Sequence, residues 1–234
     1  MSELSGMSIL VVGAGGGLGR EIAAVLHDKG ALLTLAGRNP ATVNPHGLPA
    51  AIAVGDVTQA GVPASLVQAA LDAHHRLDAV VYAAGAVSFG TLVEETDDTT
   101  DALWRVNTAG WMSVLRAAIP ALSQSASEGR SPFAVTLSGV VAEAPTAGLA
   151  AYSAVKSALH AYGVAASREL RRLGIRLIDA RPGHTETELS KHPLAGVAPA
   201  FPAGVSPRAV AERIVQAMES DEKDLPSSAF HGLS

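Results

Sequence analysis

Met7-Ser8-Ile9-Leu10-Val11-Val12-Gly13-Ala14-Gly15-Gly16-Gly17-Leu18-Gly19-Arg20 is a short apolar run that breaks at a glycine-rich turn, and apolar residues recur at helical spacing from Arg20 to Lys29. A β-branched apolar run that stops at glycine reads as a buried parallel strand feeding a turn. Glycines at 13, 17 and 19, with Gly15 and Leu18 between them, let the backbone bend sharply and approach an anion with no Cβ in the way. The following helix offers its N-terminal amides and dipole to that anion. Strand, turn and helix in this order make a cradle for a dinucleotide diphosphate, whereas the same glycines elsewhere mark only a tight turn.

The rest of the chain repeats the alternation. Further strands are expected at Ala31 to Ala36, Ala51 to Val54, Asp78 to Ala83, Pro132 to Leu137 and Ile175 to Ala180. Helical patterns fall at Val62 to His75, at about Asp98 to Ser123, at about 150 to 173 with Gly174 as the stop, and after the Ser206-Pro207 start signal. The alternation predicts a doubly wound parallel α/β sheet of order 3-2-1-4-5-6 in a single domain over 1–234, in which ligands bind at the carboxyl ends of the strands. The tail from Asp221 allows at most a short seventh edge strand, because Pro226 cannot donate to a ladder. Residues 188–205, rich in Pro, Ala, Gly and Leu, read as a mobile lid over a pocket.

Residues of chemical interest collect where these strands end. Tyr152 and Lys156 are four apart on one helix, so phenol and ammonium share a face, and the cation is expected to favour the phenolate and make Tyr152 a poised acid or base. The bland alternative is an inward tyrosine and a solvated lysine. Arg38, at the tip of the second strand where no acid stands, suits a 2′-phosphate and so NADP(H) over NAD(H), unless it is a solvated loop cation. Asp56, followed by Val57, can accept from an adenine amino group or cap the next helix. Ala83-Ala84-Gly85 offers small side chains where a cofactor passes, and Asn107 sits mid-helix, where asparagine is unfavourable unless it has a task.

Composition bounds the function. The 234 residues are 48% hydrophobic and 17% charged with net charge -5, enough for a sizeable core and without the basic footprint that nucleic acid or an anionic membrane requires. With no cysteine, thiolate metal sites, thiol nucleophiles and disulfides are excluded, and the adjacent His74 and His75 point to different helix faces, so no metal site is expected. No apolar run is long enough for a signal core or a span, and a cytoplasmic location is the default expectation.

In order and spacing, Gly13-x-x-x-Gly17-x-Gly19, Ala83-Ala84-Gly85, Asn107, Ser138, Tyr152-x-x-x-Lys156 and Pro182-Gly183 with Thr187 resemble the short-chain dehydrogenase/reductase family over essentially the whole chain, and so a Rossmann fold. The resemblance implies that Tyr152 gives or takes a proton, that Lys156 lowers its pKa and binds the nicotinamide ribose, and that a serine bonds the substrate oxygen. It further implies that Asn107 holds a water linking Lys156 to solvent, that Asp56 meets the adenine, and that Pro182, Gly183, Thr185 and Thr187 line the nicotinamide end. Helices around 98 to 123 and 152 to 173 would pair with symmetry mates in a homodimer or homotetramer. Three places depart from the family pattern. Tyr82 and Ala83 stand where asparagines are usual, so one structural hydrogen bond is missing or replaced, and Val12 stands where threonine is commoner. Gly139 occupies the usual serine position, thirteen residues before the tyrosine. A loop one residue longer between 140 and 151 restores the register of Ser138; otherwise Ser138 points the wrong way along its strand.

The expected activity is hydride transfer between NADP(H) and a carbonyl or secondary alcohol carbon. Phe89, Val140, Leu149, His184, Leu194 and Phe201 would form a mostly apolar wall for a small hydrophobic substrate. A non-catalytic dinucleotide-binding sensor or assembly protein, and a reductase of carrier-bound 3-oxoacyl thioesters using Arg171 and Arg172, are the alternatives.

Overall fold

The structure is a computed structural model and describes residues 3–220 and 222–233; Asp221, where the tail reading begins, lies outside them. Seven parallel strands run in the order β3-β2-β1-β4-β5-β6-β7, with β1 Ser8–Val12, β2 Leu32–Gly37, β3 Ala50–Val54, β4 Ala79–Tyr82, β5 Phe133–Leu137, β6 Arg176–Ala180 and β7 Asp224–Leu225. The seventh strand is two residues long and ends at Pro226, as the missing N–H requires.

Period-two alternation sorts the strand side chains into two layers. Ile9, Val11, Leu33, Leu35, Val81, Val135 and Ile178 pack on one face of the sheet, against α1 (Gly17–Asp28) and α6 (Pro207–Glu219). Leu10, Val12, Val80, Tyr82, Ala134 and Leu177 pack on the other, against α2 (Val62–His74), α4 (Gly110–Ser127) and α5 (Ala150–Leu170). Because both faces are covered, the central strands are continuous apolar runs, buried throughout.

Helix ends follow their signals. Ser206 accepts from the Ala209 N–H, with Pro207 in the first turn of α6. Beyond α5, a 3₁₀ turn at Arg171–Leu173 stops at Gly174 with φ +74°.

The expected continuous helix from 98 to 123 is not continuous. It consists of α3 (Asp97–Trp104), a π-helical turn at Arg105–Ala109, and α4. The added residue of a π turn leaves the apolar periodicity on either side nearly intact, which is why one helix was expected. Asn107 lies inside that turn.

Candidate active site

The glycine turn is built by close approach. Gly13 has φ +83°, and a Cβ there would run into the Ala83–Ala84 backbone at the end of β4. A Cβ on Gly17 would meet the Thr187 side chain at 2.5 Å, so Thr187 rests directly on the cradle. The α1 N-terminus opens here, with Gly16 as its cap and no side chain occupying the end.

Around this turn the structure brings together most of the expected cofactor residues. Arg38 follows β2, is exposed, and takes no hydrogen bond or ion pair among the described residues. Asp56 Oδ1 accepts from the Thr58 N–H at 2.9 Å and the Thr58 hydroxyl at 2.8 Å. It therefore closes a local turn and does not cap α2, whose N-cap is Gly61. Thr185 forms a bridge with Val205 and donates to the Gly183 carbonyl at 3.1 Å, and the Pro182 carbonyl accepts from the Val140 N–H at 3.0 Å. The Thr187 side chain caps the 3₁₀ turn Glu188–Lys191. Open helix amides and unobstructed glycines fit the diphosphate of a nicotinamide dinucleotide.

Tyr152 and Lys156 lie on one face of α5, with the Lys156 ammonium 5.7 Å from the centre of the Tyr152 ring. The Tyr152 hydroxyl takes no hydrogen bond among the described residues, and its side chain packs against the cluster of Val87, Phe89 and Leu149, as do Val141 and Ala198. Lys156 is buried, and Nζ donates to the Leu137 carbonyl at 2.7 Å. Asn107 Nδ2 donates to the carbonyls of Ala86 and Leu103, both at 2.9 Å, while its Oδ1 accepts from the Ala86 N–H at 3.3 Å. A Cβ on Gly85 would sit 3.2 Å from Asn107 Oδ1 and 3.9 Å from Lys156 Nζ, so these two groups flank Gly85.

The electrostatics differ from the expectation in one respect. The Lys156 cation was expected to hold the phenol below its ordinary value, yet burial pushes Tyr152 up to about 12. Burial also pulls Lys156 down to about 8, while Asp179 opposes that fall. Both groups have lost water, and the charged form of each is penalised before either can help the other.

Ser138 does not face this site. Its hydroxyl donates to both oxygens of Asp179, at 2.7 and 2.8 Å, and the residue has no exposed surface. The longer loop does not restore its register, because the chain turns at once: Gly139 has φ +76° and a 3₁₀ turn begins at Val140. Strand alternation therefore leaves Ser138 facing α5, where a buried carboxylate captures it.

The pocket wall is also rearranged. Phe89 and Leu149 pack beside Tyr152, but Val141 takes the place expected of Val140, because the 3₁₀ turn presents the next residue. Phe201 stacks on His184 with ring centres 4.5 Å apart and lies 6.0 Å from Phe89. Leu194 is 49% exposed and reaches the wall through its backbone, its N–H donating to the Val87 carbonyl at 2.8 Å. With the Phe89 N–H donating to the Ala195 carbonyl at 2.9 Å, the segment expected as a lid lies along residues 87–89 and brings Ala198 onto the cluster of Val87, Phe89 and Leu149 that Tyr152 also packs against. A cavity of about 410 Å³ within the lid is lined by His184, Glu186, Lys191, Val197 and Phe201.

Over residues 7–196 the sequence matches the family described as short chain dehydrogenase. The chain belongs to that family. Among similar proteins, an uncharacterized oxidoreductase of Staphylococcus epidermidis is 29% identical over 195 residues, covering 82% of this chain and 83% of its own. One of Staphylococcus aureus is 27% identical over 229 residues, covering 93% of each. Among solved structures, a 3-ketoacyl-(acyl-carrier-protein) reductase from Brucella melitensis complexed with NADH superposes with a TM-score of 0.85 at 21% identity, covering 97% of this chain and 99% of its own. A short chain dehydrogenase from Burkholderia cenocepacia in complex with NADP gives 0.83 at 22% identity, covering 97% and 89%. This short chain dehydrogenase is therefore an oxidoreductase by family, and at these identities the structures speak to its fold.

Four residues near the site, Glu95, His160, Asp179 and Arg181, were not anticipated from sequence. Glu95 accepts from the Ala151 N–H at 2.9 Å and so holds the first turn of α5. His160 and Arg181 join Ser138 on Asp179. The signal for the last group was an aspartate inside the otherwise apolar end of β6, together with a histidine four residues beyond Lys156.

Proposed function

We propose that the chain is an NADP(H)-dependent oxidoreductase moving hydride between the nicotinamide and a carbonyl or secondary alcohol carbon of a small hydrophobic substrate. When bound, the nicotinamide supplies or takes the hydride. The observation that carries this reading is the Tyr152 hydroxyl, unbonded in an apolar pocket one helical turn from a buried ammonium.

In the reductive direction Tyr152 Oη gives its proton to the substrate oxygen, and in the oxidative direction it takes one. Lys156, held by Leu137, supplies the positive charge that stabilises the phenolate left behind. Phe89, Leu149 and the lid exclude water and press the substrate carbon into place. Asn107 stands beside Lys156 as the link toward solvent. Arg38 selects the phosphorylated cofactor, and Asp56 keeps Oδ2 available for adenine. Trp104 and Val164, exposed on α3 and α5, suit pairing in a homodimer or homotetramer, and a cytoplasmic location accords with this reading.

One observation favours a second reading. With Ser138 committed to Asp179, no serine faces the substrate oxygen from that position, as in a dinucleotide-binding protein that has lost turnover. A broad panel of apolar ketones and secondary alcohols, assayed with NADPH or NADP, separates the two. Turnover, faster with NADPH than with NADH, is expected; tight NADPH binding with no turnover across the panel selects the sensor. A carrier-bound 3-oxoacyl thioester belongs in the panel, because the exposed Arg171 and Arg172 could receive an acidic carrier.

A further inference from the structure

One peptide group separates Lys156 from Asp179. The carbonyl of the Leu137–Ser138 peptide accepts from Lys156 Nζ at 2.7 Å, and the N–H of the same peptide donates to Asp179 Oδ1 at 3.3 Å. The oxygen end of the peptide dipole thus meets the cation and its N–H end meets the anion, so each charge polarises the group in the sense that strengthens the other bond. We propose that Asp179 is a positioning residue that keeps the Lys156 ammonium charged and fixed beside Tyr152, acting through this peptide and through its own field. This rests on the reading of Tyr152 and Lys156 given above.

The surroundings of Asp179 are built to hold a carboxylate in place. The Ser138 hydroxyl donates to both of its oxygens, Arg181 Nη1 donates to Oδ2 at 3.0 Å, and His160 Nδ1 lies 2.6 Å from Oδ2. His160 stands one helical turn beyond Lys156, so Tyr152, Lys156 and His160 line one face of α5 above the end of β6. Among the described residues, the remaining charged groups of the cluster are Glu143, from the turn after β5, and Asp224, from β7, and both pair with Arg181. Asp179, Glu143 and Asp224 are three carboxylates that share one guanidinium, so the cluster carries excess negative charge. The next cation along this face is Lys156. A buried lysine ordinarily loses its proton as water is removed, and a neighbouring anion opposes that loss.

The test reads the lysine directly and also through catalysis. The chain has four lysines, so their Cε resonances can be resolved by NMR and Lys156 assigned with Lys156→Arg. In Asp179→Asn, which keeps size and shape but removes charge, the Lys156 titration should move down by roughly one pH unit from its starting value. The pH limbs of kcat should follow in the same direction for reduction and for oxidation. Ser138→Ala keeps the charge, and its titration should stay put. Where Asp179→Asn does not fold, His160→Lys neutralises the same carboxylate from a side chain one-third open to solvent, and the same downward shift is required of it. An unmoved Lys156 titration in the folded variant, or an equal shift in Ser138→Ala, overturns the proposal. Because the resonance is read without substrate, turnover that survives Tyr152→Phe overturns the catalytic reading alone.

Discussion

The hydroxyl of Tyr82 donates to the Val106 carbonyl at 2.6 Å. Val106 belongs to the π-helical turn that carries Asn107, and Tyr82 reaches it from the end of β4 because Gly110 leaves the space open. Burial, with Asp56 nearby, pushes the Tyr82 hydroxyl well above its ordinary value, so it stays a donor. Tyr82 thus ties the end of β4 to the turn that carries Asn107. Tyr82→Phe should cost about 1–2 kcal/mol by removing this hydrogen bond. Gly110→Ala should be costly alone and cheaper in the Tyr82→Phe background, because the missing hydroxyl frees room for the methyl. A denaturation double-mutant cycle that finds the two changes additive refutes this coupling.

Arg38 stands exposed after β2 and has no partner among the described residues, at the place where a ribose 2′-phosphate is met in this sheet topology. Arg38→Asp is expected to raise the Kd for NADPH at least tenfold, a penalty of roughly 1.4 kcal/mol or more, while leaving that for NADH within about threefold. Equal effects on both cofactors, measured by fluorescence titration, would show that Arg38 does not choose between them.

Asp78 is fully buried between β1, β4 and α4, where it accepts from the Ser8 N–H at 2.8 Å, Ser125 Oγ at 2.7 Å and Arg76 Nε at 2.9 Å. Burial raises its pKa, but these three donors outweigh it and hold the carboxyl below its ordinary value. Its folded value lies below the unfolded one, so its stabilisation is present above the unfolded pKa of about 4 and is lost as pH falls through the folded value. Asp78→Asn should cost about 2–4 kcal/mol at neutral pH, and the gap to the native chain should narrow progressively below about pH 4. A gap that stays constant through that window would place the effect in packing and not in charge.

Much of this was legible in sequence because it depends on neighbours along the chain. Ile9 and Leu10 reveal their layers by parity alone, and Gly13 to Gly19 mark a turn whose tightness any side chain would spoil. Tyr152 and Lys156 share a face by helical spacing. What was not legible depends on distant residues. Ser138 faces α5 because Asp179, on the neighbouring strand, captures it, and no local pattern records that pairing. The π turn around Asn107 is stabilised by Tyr82, on another strand. The phenol's raised pKa reflects its burial, against the cluster of Val87, Phe89 and Leu149, which spacing along one helix does not contain.

The central claim is that Tyr152 Oη carries the proton, and Tyr152→Phe removes that atom while keeping the ring that packs on Leu149. The decisive measurement is kcat for this variant beside its NADPH affinity. A fall in kcat of about 10²–10⁴-fold or more, with NADPH Kd unchanged within about threefold, is the predicted result. Turnover within tenfold of the native chain would contradict it.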